Sequence, residues 1–153
     1  MKKAFLFFSF FACLFIFSAN AYAQKNIDVK VDRDPILEAD AMHNLDVARQ
    51  AFKLKKAYKA VLLRTEVIIA AYPDFSRIEE VLYLSGMSSY YLAEGKGKQK
   101  AEPRNEEERA KYAPEKLRDD AGAYLTQLLK QFPNTKYKEE AEKTLKLLES
   151  KRS

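Results

Sequence analysis

Residues 68–81 read Ile-Ile-Ala-Ala-Tyr-Pro-Asp-Phe-Ser-Arg-Ile-Glu-Glu-Val, and residues 128–141 read Leu-Leu-Lys-Gln-Phe-Pro-Asn-Thr-Lys-Tyr-Lys-Glu-Glu-Ala. Both stretches have the same parts in the same order: an apolar helix end, an aromatic residue followed by proline, a polar turn, and a new helix with a Glu-Glu pair near its start. Proline pushes the residue before it out of the helical region, so each aromatic-proline pair marks the end of a helix. A helix–turn–helix unit that occurs twice predicts a helical repeat protein, a class that mostly binds other proteins.

Hydrophobic periodicity predicts five helices within a single domain at residues 35–151. The first begins at Asp34 and Pro35, a capping residue followed by proline at the first helical position. One face of this helix is expected to be buried, and it consists of Leu37, Ala41, Leu45, Ala48 and Phe52. The second helix covers residues 56–72. The fold class that follows is all-α, a tetratricopeptide-like solenoid of antiparallel helix hairpins with about two and a half repeats.

The third helix is expected to begin with a capping box, Ser-Arg-Ile-Glu at residues 76–79. Gly86 lies in its middle, where glycine costs up to about 1 kcal/mol relative to alanine, so a packing reason is expected. Ser85 and Ser89 share its side, and small residues there allow another helix to approach closely. The fourth helix begins at Pro114 and the fifth carries Ala141, Leu145 and Leu148.

Residues 95–116 interrupt the repeat with a charged insert that contains two glycines and two prolines. A tetratricopeptide unit has about 34 residues, and the insert supplies most of the extra length between Pro73 and Pro133. Asn105, followed by three glutamates, is able to start a short surface helix near Tyr112. The composition favours a solvated, mobile loop, and the alternative is an arm that contacts a partner.

Residues 1–23 have the pattern of a secretory signal peptide. Lys2 and Lys3 precede an apolar run over residues 4–17, and Ala-Tyr-Ala at 21–23 is a small-x-small cleavage site. The run is shorter than the roughly twenty residues that span a bilayer, so no stable membrane span is expected after cleavage; an uncleaved anchor is the alternative. Residues 24–34 are then an extended N-terminal tether. The location expected is the periplasm or the outer membrane.

Charge and cysteine content narrow the function further. The formal net charge of +5 becomes +3 when Lys2 and Lys3 are removed with the signal, and basic residues alternate with Glu, so nucleic-acid binding is not expected. Cys13 is the only cysteine and lies inside the apolar run rather than at the cleavage point. We therefore predict no lipid at Cys13, no disulfide and no thiolate chemistry.

Three segments resemble the BamD-like tetratricopeptide family of the bacterial envelope. They are Tyr-Pro-Asp-Phe-Ser at 72–76, Leu-Tyr-Leu-Ser-Gly-Met-Ser-Ser-Tyr-Tyr at 82–91, and Phe-Pro-Asn-Thr-Lys-Tyr at 132–137. The resemblance implies a protein-binding scaffold linked to the assembly of outer-membrane β-barrel proteins. The family pattern includes a lipid-attachment cysteine and about five repeats, so this chain looks like a shortened relative that acts as a soluble periplasmic adaptor. The CpoB-like periplasmic repeat proteins share the pattern and are the alternative.

The residues predict no enzyme, no cofactor and no metal site. His43 is the only histidine, and no nucleophile with a base is indicated beside it. Asp40, His43 and Asp46 share a helix face, but a firm metal site would need further ligands. Gly-Lys-Gly-Lys at 95–98 lacks the spacing of a phosphate-binding loop.

A protein partner is therefore the expected ligand: an extended or helical peptide, or another envelope repeat protein. The third helix is unusually aromatic, and Tyr83, Met87, Tyr90 and Tyr91 are its candidate contact residues. Tyrosine is favoured at interfaces because it offers a large rigid surface with a polar tip. Packing against the neighbouring helices is the alternative role for these side chains. Asn44 and Arg49 on the first helix are the candidate polar residues at the rim. A second hypothesis is a structural subunit that stacks end-on with another repeat protein or a second copy.

Overall fold

The computed structural model describes residues 33–98, 103 and 105–151. The predicted signal peptide, and the predicted tether as far as residue 32, lie outside these residues. The described parts of the chain contain α-helices, one π-helical turn and no strand, which confirms the all-α class. The helices are α1 (Pro35–Gln50), α2 (Tyr58–Ala71), α3 (Ile78–Ala93), α4 (Glu106–Lys111), α5 (Pro114–Gln131) and α6 (Lys138–Ser150).

The first hairpin consists of α1, a π-helical turn at Ala51–Lys55, and α2. The Asp34 carboxylate caps α1 as predicted, accepting a hydrogen bond from the Ile36 N–H at 2.8 Å. The π-helical turn was not predicted; it ends at Lys56, whose φ of 49° lies in the left-handed region. The chain reverses direction at residues 56 and 57, between the π-helical turn and α2, so α2 packs along α1.

The two aromatic-proline segments have the same backbone structure, as their sequences predict. In each, the aromatic N–H donates to a carbonyl in the last turn of its helix, and the aromatic carbonyl then accepts a bond from the residue three positions later. The first of these distances is 2.8 Å in both copies, for Tyr72 to Ile68 and for Phe132 to Leu128. The residues that close the two turns, Phe75 and Thr135, are both buried. The repeat unit is therefore a structural repeat, and both copies close the second helix of a hairpin.

The capping box predicted at residues 76–79 is wrong. Arg77 is the N-cap of α3, and no side chain caps this helix. The Ser76 hydroxyl instead donates to the Glu38 carboxylate on α1, and the Ser76 N–H points to the same carboxylate at 3.3 Å. Leu37, expected on the buried face of α1, is 49 % exposed because its position in the first turn lies at the edge of the hairpin.

Helix α3 lies at the centre of the fold and contributes to two apolar clusters. The first core cluster joins α1, α2 and α3 and consists of Ala41, Leu45, Ala48, Ala51, Ala57, Val61, Ile68, Phe75, Val81 and Leu84. The second core cluster joins α3, α5 and α6 and consists of Leu82, Met87, Tyr90, Ala121, Leu125, Leu128, Ala141 and Leu148. Each cluster therefore uses side chains from different sides of the same helix.

The close approach predicted at Gly86 is confirmed. A Cβ on Gly86 would lie 2.6 Å from Leu125 Cγ and 2.7 Å from Leu125 Cδ2, closer than packed carbon atoms come. Ser85 and Ser89 are buried on the same helix, as expected. The absence of a side chain at Gly86 lets α5 pack directly on the backbone of α3.

The charged insert contains a short helix that begins as its sequence indicates. Asn105 caps α4 by accepting a hydrogen bond from the Glu108 N–H at 2.8 Å. Tyr112, at the end of α4, is buried in a small cluster with Leu62, Ala93 and Leu117. Two ion pairs join α4 to α2: Lys59 with Glu108 at 2.9 Å and Lys111 with Glu66 at 2.6 Å. The described part of the insert thus packs against the hairpins.

Candidate protein-binding surface

A row of aromatic rings runs from the π-helical turn and the start of α2, across α3, to the residue before α6. We call it the aromatic strip, and it consists of Phe52, Tyr58, Tyr83, Tyr91 and Tyr137. The ring of Phe52 lies 6.3 Å from that of Tyr83 and 6.1 Å from that of Tyr91, and the Tyr58 and Tyr91 rings are 4.9 Å apart. Tyr83 and Tyr137 are stacked, with ring centres 4.0 Å apart and planes 11° apart. Four of the five rings are partly exposed, and only Tyr58 is buried.

Burial raises the pKa of three tyrosines of the strip, Tyr58, Tyr83 and Tyr91. Burial raises the pKa of Tyr83, and the hydrogen bond to Glu140 raises it further. In that bond the Tyr83 hydroxyl donates to a Glu140 carboxylate oxygen at 2.6 Å, which joins α3 to α6. Burial also raises the pKa of Tyr91, with a smaller contribution from the Glu140 charge. The strip therefore offers flat, partly exposed ring surface to a partner.

Arg49 borders the strip and holds α1 against α3. Its guanidinium donates two hydrogen bonds to the Glu80 carboxylate, at 2.7 and 2.6 Å, and a third to Asp46 at 2.7 Å. The bidentate bond to Glu80 raises the pKa of Arg49 and lowers that of Glu80, although burial opposes both shifts. Because its donors are engaged within the protein, Arg49 acts here as a support for the strip.

The remaining three candidates add little exposed surface to the strip, although the Tyr90 ring lies 5.6 Å from that of Tyr91. Met87 and Tyr90 are only 2 % and 8 % exposed, because α6 and α5 cover the side of α3 on which they lie. Their side chains belong to the second core cluster and offer almost no contact surface. Asn44 accepts a hydrogen bond from Arg64 at 3.2 Å, so it lies between α1 and α2. Of the six candidates, Tyr83 and Tyr91 belong to the strip, and Arg49 binds Glu80, one helical turn before Tyr83 on α3.

Reasoning from the sequence missed three residues of the strip, Phe52, Tyr58 and Tyr137, and also Glu140, which accepts the hydrogen bond from Tyr83. Phe52 was assigned to the buried face of α1, and it does pack on both core clusters while keeping a partly exposed edge. Tyr137 follows the second aromatic-proline segment, and the equivalent position after the first segment is Arg77. An aromatic residue in the second repeat where the first has arginine was the signal in the sequence that Tyr137 has a role beyond the repeat itself.

The described residues hold two further hollows, neither of which includes the strip. One, of about 230 Å³, lies between the start of α1 and the turn after α2 and is lined by Leu37 and Tyr72. The other, of about 600 Å³, lies between α5 and α6 and is lined by Gly122, Ala123 and Leu145 among others. Within residues 33–98, 103 and 105–151, no three His, Cys, Asp or Glu side chains are grouped to hold a metal ion. No helix in the described chain is both long and apolar enough to cross a membrane.

The repeated hairpins, with α3 packed between its two neighbours, define a tetratricopeptide-like helical repeat protein. Residues 18–151 match the family model YfiO, described as an outer membrane lipoprotein. The chain therefore belongs to the YfiO family of outer membrane lipoproteins, and the BamD-like resemblance of its sequence is confirmed. Comparison with curated proteins gave no match, and comparison with solved structures gave none either.

The family description bears on the prediction made for Cys13. The match begins at residue 18, so it does not include this cysteine, which also lies outside the described residues. The absence of a lipid at Cys13 stays a prediction, as does cleavage after residue 23.

Proposed function

We propose that this chain is a non-enzymatic scaffold of the bacterial cell envelope that binds an extended or helical segment of a protein partner along the aromatic strip. The aromatic strip is the observation that carries the proposal. The partly exposed rings of the π-helical turn, of α3 and of the residue before α6 provide a continuous surface on which a peptide is able to gain contact area, while the helices hold the rings in place. Membership of an outer membrane lipoprotein family supports the envelope as the place where this occurs.

The finer role we propose is an adaptor in outer-membrane protein assembly, positioned in the periplasm or at the outer membrane after signal cleavage. The support is the BamD-like pattern of residues 72–91 and 132–137, together with the family match. The partner would be an assembly component or one of its substrates, each of which presents extended or helical segments.

The test is in-cell crosslinking followed by a binding measurement. A photo-crosslinking amino acid at position 91 captures the partner, which mass spectrometry identifies. The Tyr91→Ala variant is then expected to weaken the measured Kd at least tenfold, because an interfacial tyrosine commonly contributes more than about 1.4 kcal/mol. Tyr124→Ala is the matched control, since Tyr124 is a partly exposed tyrosine on α5 outside the strip. Equal affinity of the two variants, with helicity unchanged by circular dichroism, would reject the strip as the binding surface.

A specific observation favours a second candidate, a structural subunit that stacks through its first hairpin. Four large apolar side chains on α1 and α2 are exposed: Ile36, Leu37, Leu63 and Val67. Helical repeats cover such surfaces by packing against a neighbouring repeat. Sedimentation at two protein concentrations tests self-association, and the Leu63→Ser, Val67→Ser double variant is expected to abolish it. A wild-type chain that stays monomeric at both concentrations excludes stacking of two copies.

A further inference from the structure

A cluster of lysines lies where the first hairpin meets the loop after α3. We call it the basic corner, and it consists of Lys53, Lys55, Lys56, Lys96 and Lys98, all of which are exposed. Two separate stretches of chain build it: the π-helical turn with Lys56, and residues 96–98. They are joined by a backbone hydrogen bond in which the Lys98 N–H donates to the Lys56 carbonyl at 3.1 Å. The five charges are therefore held at one place on the surface.

Gly97 shows how closely the two stretches meet. Its φ is 120°, and a Cβ there would lie 2.9 Å from the Lys56 carbonyl oxygen and 3.0 Å from the Tyr58 ring. Only glycine fits this conformation and this distance without strain. The backbone of the basic corner is therefore held in place where Gly97 and Lys98 contact Lys56 and Tyr58 of the first hairpin.

The lysines of the basic corner form no ion pair with an acidic side chain among the residues described by the structure. Glu94, at the end of α3, is hydrogen bonded to Lys151 and paired with Arg118. Lys96 lies over the rings of Tyr90 and Tyr91, 5.6 Å from each centre. The hydrogen bond from Lys151 lowers the pKa of Glu94 and the charge of Lys96 also helps to lower it, so the charge that remains available to a negatively charged partner is that of the other four lysines of the corner.

Leu54 is the second, independent observation at the corner. It is 74 % exposed, the highest value among the large apolar side chains of the described residues, and it stands between Lys53 and Lys55. Lysines near the end of a helix complement its dipole, which explains a basic helix end but not an exposed leucine within it. An apolar tip surrounded by ammonium groups matches the boundary of an anionic bilayer, where phosphates lie directly above the acyl chains.

We propose that the basic corner docks this protein on an anionic lipid surface, with Leu54 inserted between headgroups and the lysines against the phosphates. An acidic peptide is the other polyanion that the charges would attract. Neither of the two hollows described above is lined by a residue of the corner, and the exposed Leu54 among the lysines favours the lipid surface over a peptide. The corner adjoins the aromatic strip, since Lys96 lies over the Tyr91 ring, but a peptide on the strip and a lipid surface at Leu54 and the other lysines would use different residues.

The experiment measures sedimentation with vesicles, using the chain isolated from the envelope of producing cells, with its N terminus defined by mass spectrometry. Vesicles are pure phosphatidylcholine or an equal mixture with phosphatidylglycerol. Lys53→Gln, Lys55→Gln and Lys98→Gln are combined in the corner variant, and Lys130→Gln, Lys138→Gln and Lys146→Gln, all exposed positions elsewhere, in a control of equal charge. Each lysine near an anionic surface strengthens binding about fivefold. The affinity of the corner variant for the anionic vesicles is therefore expected to fall about a hundredfold, and that of the control variant is expected to change little.

Leu54→Ser tests the apolar part, and we expect it to lower binding to the anionic vesicles several-fold with the lysines intact. Binding that is equally strong to neutral vesicles, or equally weakened in the corner and control variants, would overturn the proposal. A Leu54→Ser variant with unchanged vesicle binding would also overturn the lipid assignment, because the corner would then attract any polyanion. Loss of partner capture by Tyr91→Ala leaves all these outcomes unaffected.

Discussion

Gly86 determines how closely the two central helices pack. Leu125 occupies the space that a side chain at position 86 would need, and its backbone N lies 3.4 Å from the site of a Cβ. Leu125 is fully buried in the second core cluster, so it has little room to move aside. One missing side chain in α3 thereby positions α5 and, through it, the start of α6.

We expect Gly86→Ala to lower the free energy of unfolding by about 1–3 kcal/mol, since overpacking outweighs the gain of up to about 1 kcal/mol in helix propensity. Gly122→Ala is the matched control on α5, where a Cβ meets nothing within 4 Å, so this substitution should stabilise the protein by a few tenths to about 1 kcal/mol. Urea unfolding followed by circular dichroism measures both. Equal stability of the two variants would contradict the close approach.

At the scale of helices, the Arg49–Glu80 pair joins α1 to α3. The Glu80 side chain is 12 % exposed and that of Arg49 25 %, so solvent screens the pair less than a surface ion pair. We expect Glu80→Gln to lower the free energy of unfolding at pH 7 by about 1.5–3 kcal/mol, the range for hydrogen bonds to charged groups. Glu106→Gln is the control, because its pair with Arg109 is exposed and should contribute well under 1 kcal/mol.

The same pair predicts the direction of a pH effect. Arg49 holds the pKa of Glu80 below its usual 4.5 in the folded chain, so the stabilisation is complete above that value and is lost as pH falls through the lowered folded pKa. The difference in stability between wild type and Glu80→Gln should therefore shrink as the pH is lowered from about 5 to about 3. Thermal unfolding across this range measures it, and a constant difference would show that the pair does not couple protonation to folding.

Helix α4 is held by few contacts, and Tyr112 is its main apolar one. Tyr112→Ala should release α4 from α2 and α5, and hydrogen exchange at Glu106–Lys111 should become faster by at least tenfold. The amides of α3 should keep their protection, since neither core cluster includes Tyr112. Glu107→Gln, at an exposed position of the same helix, is the control and should leave exchange unchanged.

The helices could be predicted from the sequence because each is determined by residues within or next to it. The binding surface could not, because it depends on contacts between residues that are far apart along the chain. Proline residues, capping residues and apolar spacing placed α1, α2, α3, α5 and α6. The capping box at Ser76 failed because Glu38, on another helix, takes its hydroxyl. Met87 and Tyr90 are buried by α5 and α6, and Tyr83 is positioned by Tyr137 and Glu140, which lie more than fifty residues away along the chain. Periodicity within α3 holds no information about which neighbour covers which side.

At the scale of the whole molecule, α3 makes the two core clusters depend on each other. Val81 and Leu84 belong to the first cluster, while Leu82 and Met87 belong to the second, and Phe52 and Tyr83 pack against both. Solenoid repeats in general interact with nearest neighbours only and are able to unfold in part. A single helix shared by both clusters predicts that the described domain unfolds in one cooperative step.

Leu45→Ala and Leu125→Ala test this, since each removes a fully buried leucine from a different cluster. Each should lower the free energy of unfolding by about 2–5 kcal/mol, and both should shift the same single transition. Circular dichroism reports helix content, and tyrosine fluorescence reports the packing around the strip in a chain without tryptophan. The two signals should change together in wild type and in both variants. If Leu45→Ala moved an early step and left a later one at the wild-type midpoint, the clusters would be independent, and α3 would remain folded against α5 and α6 after α1 and α2 had separated.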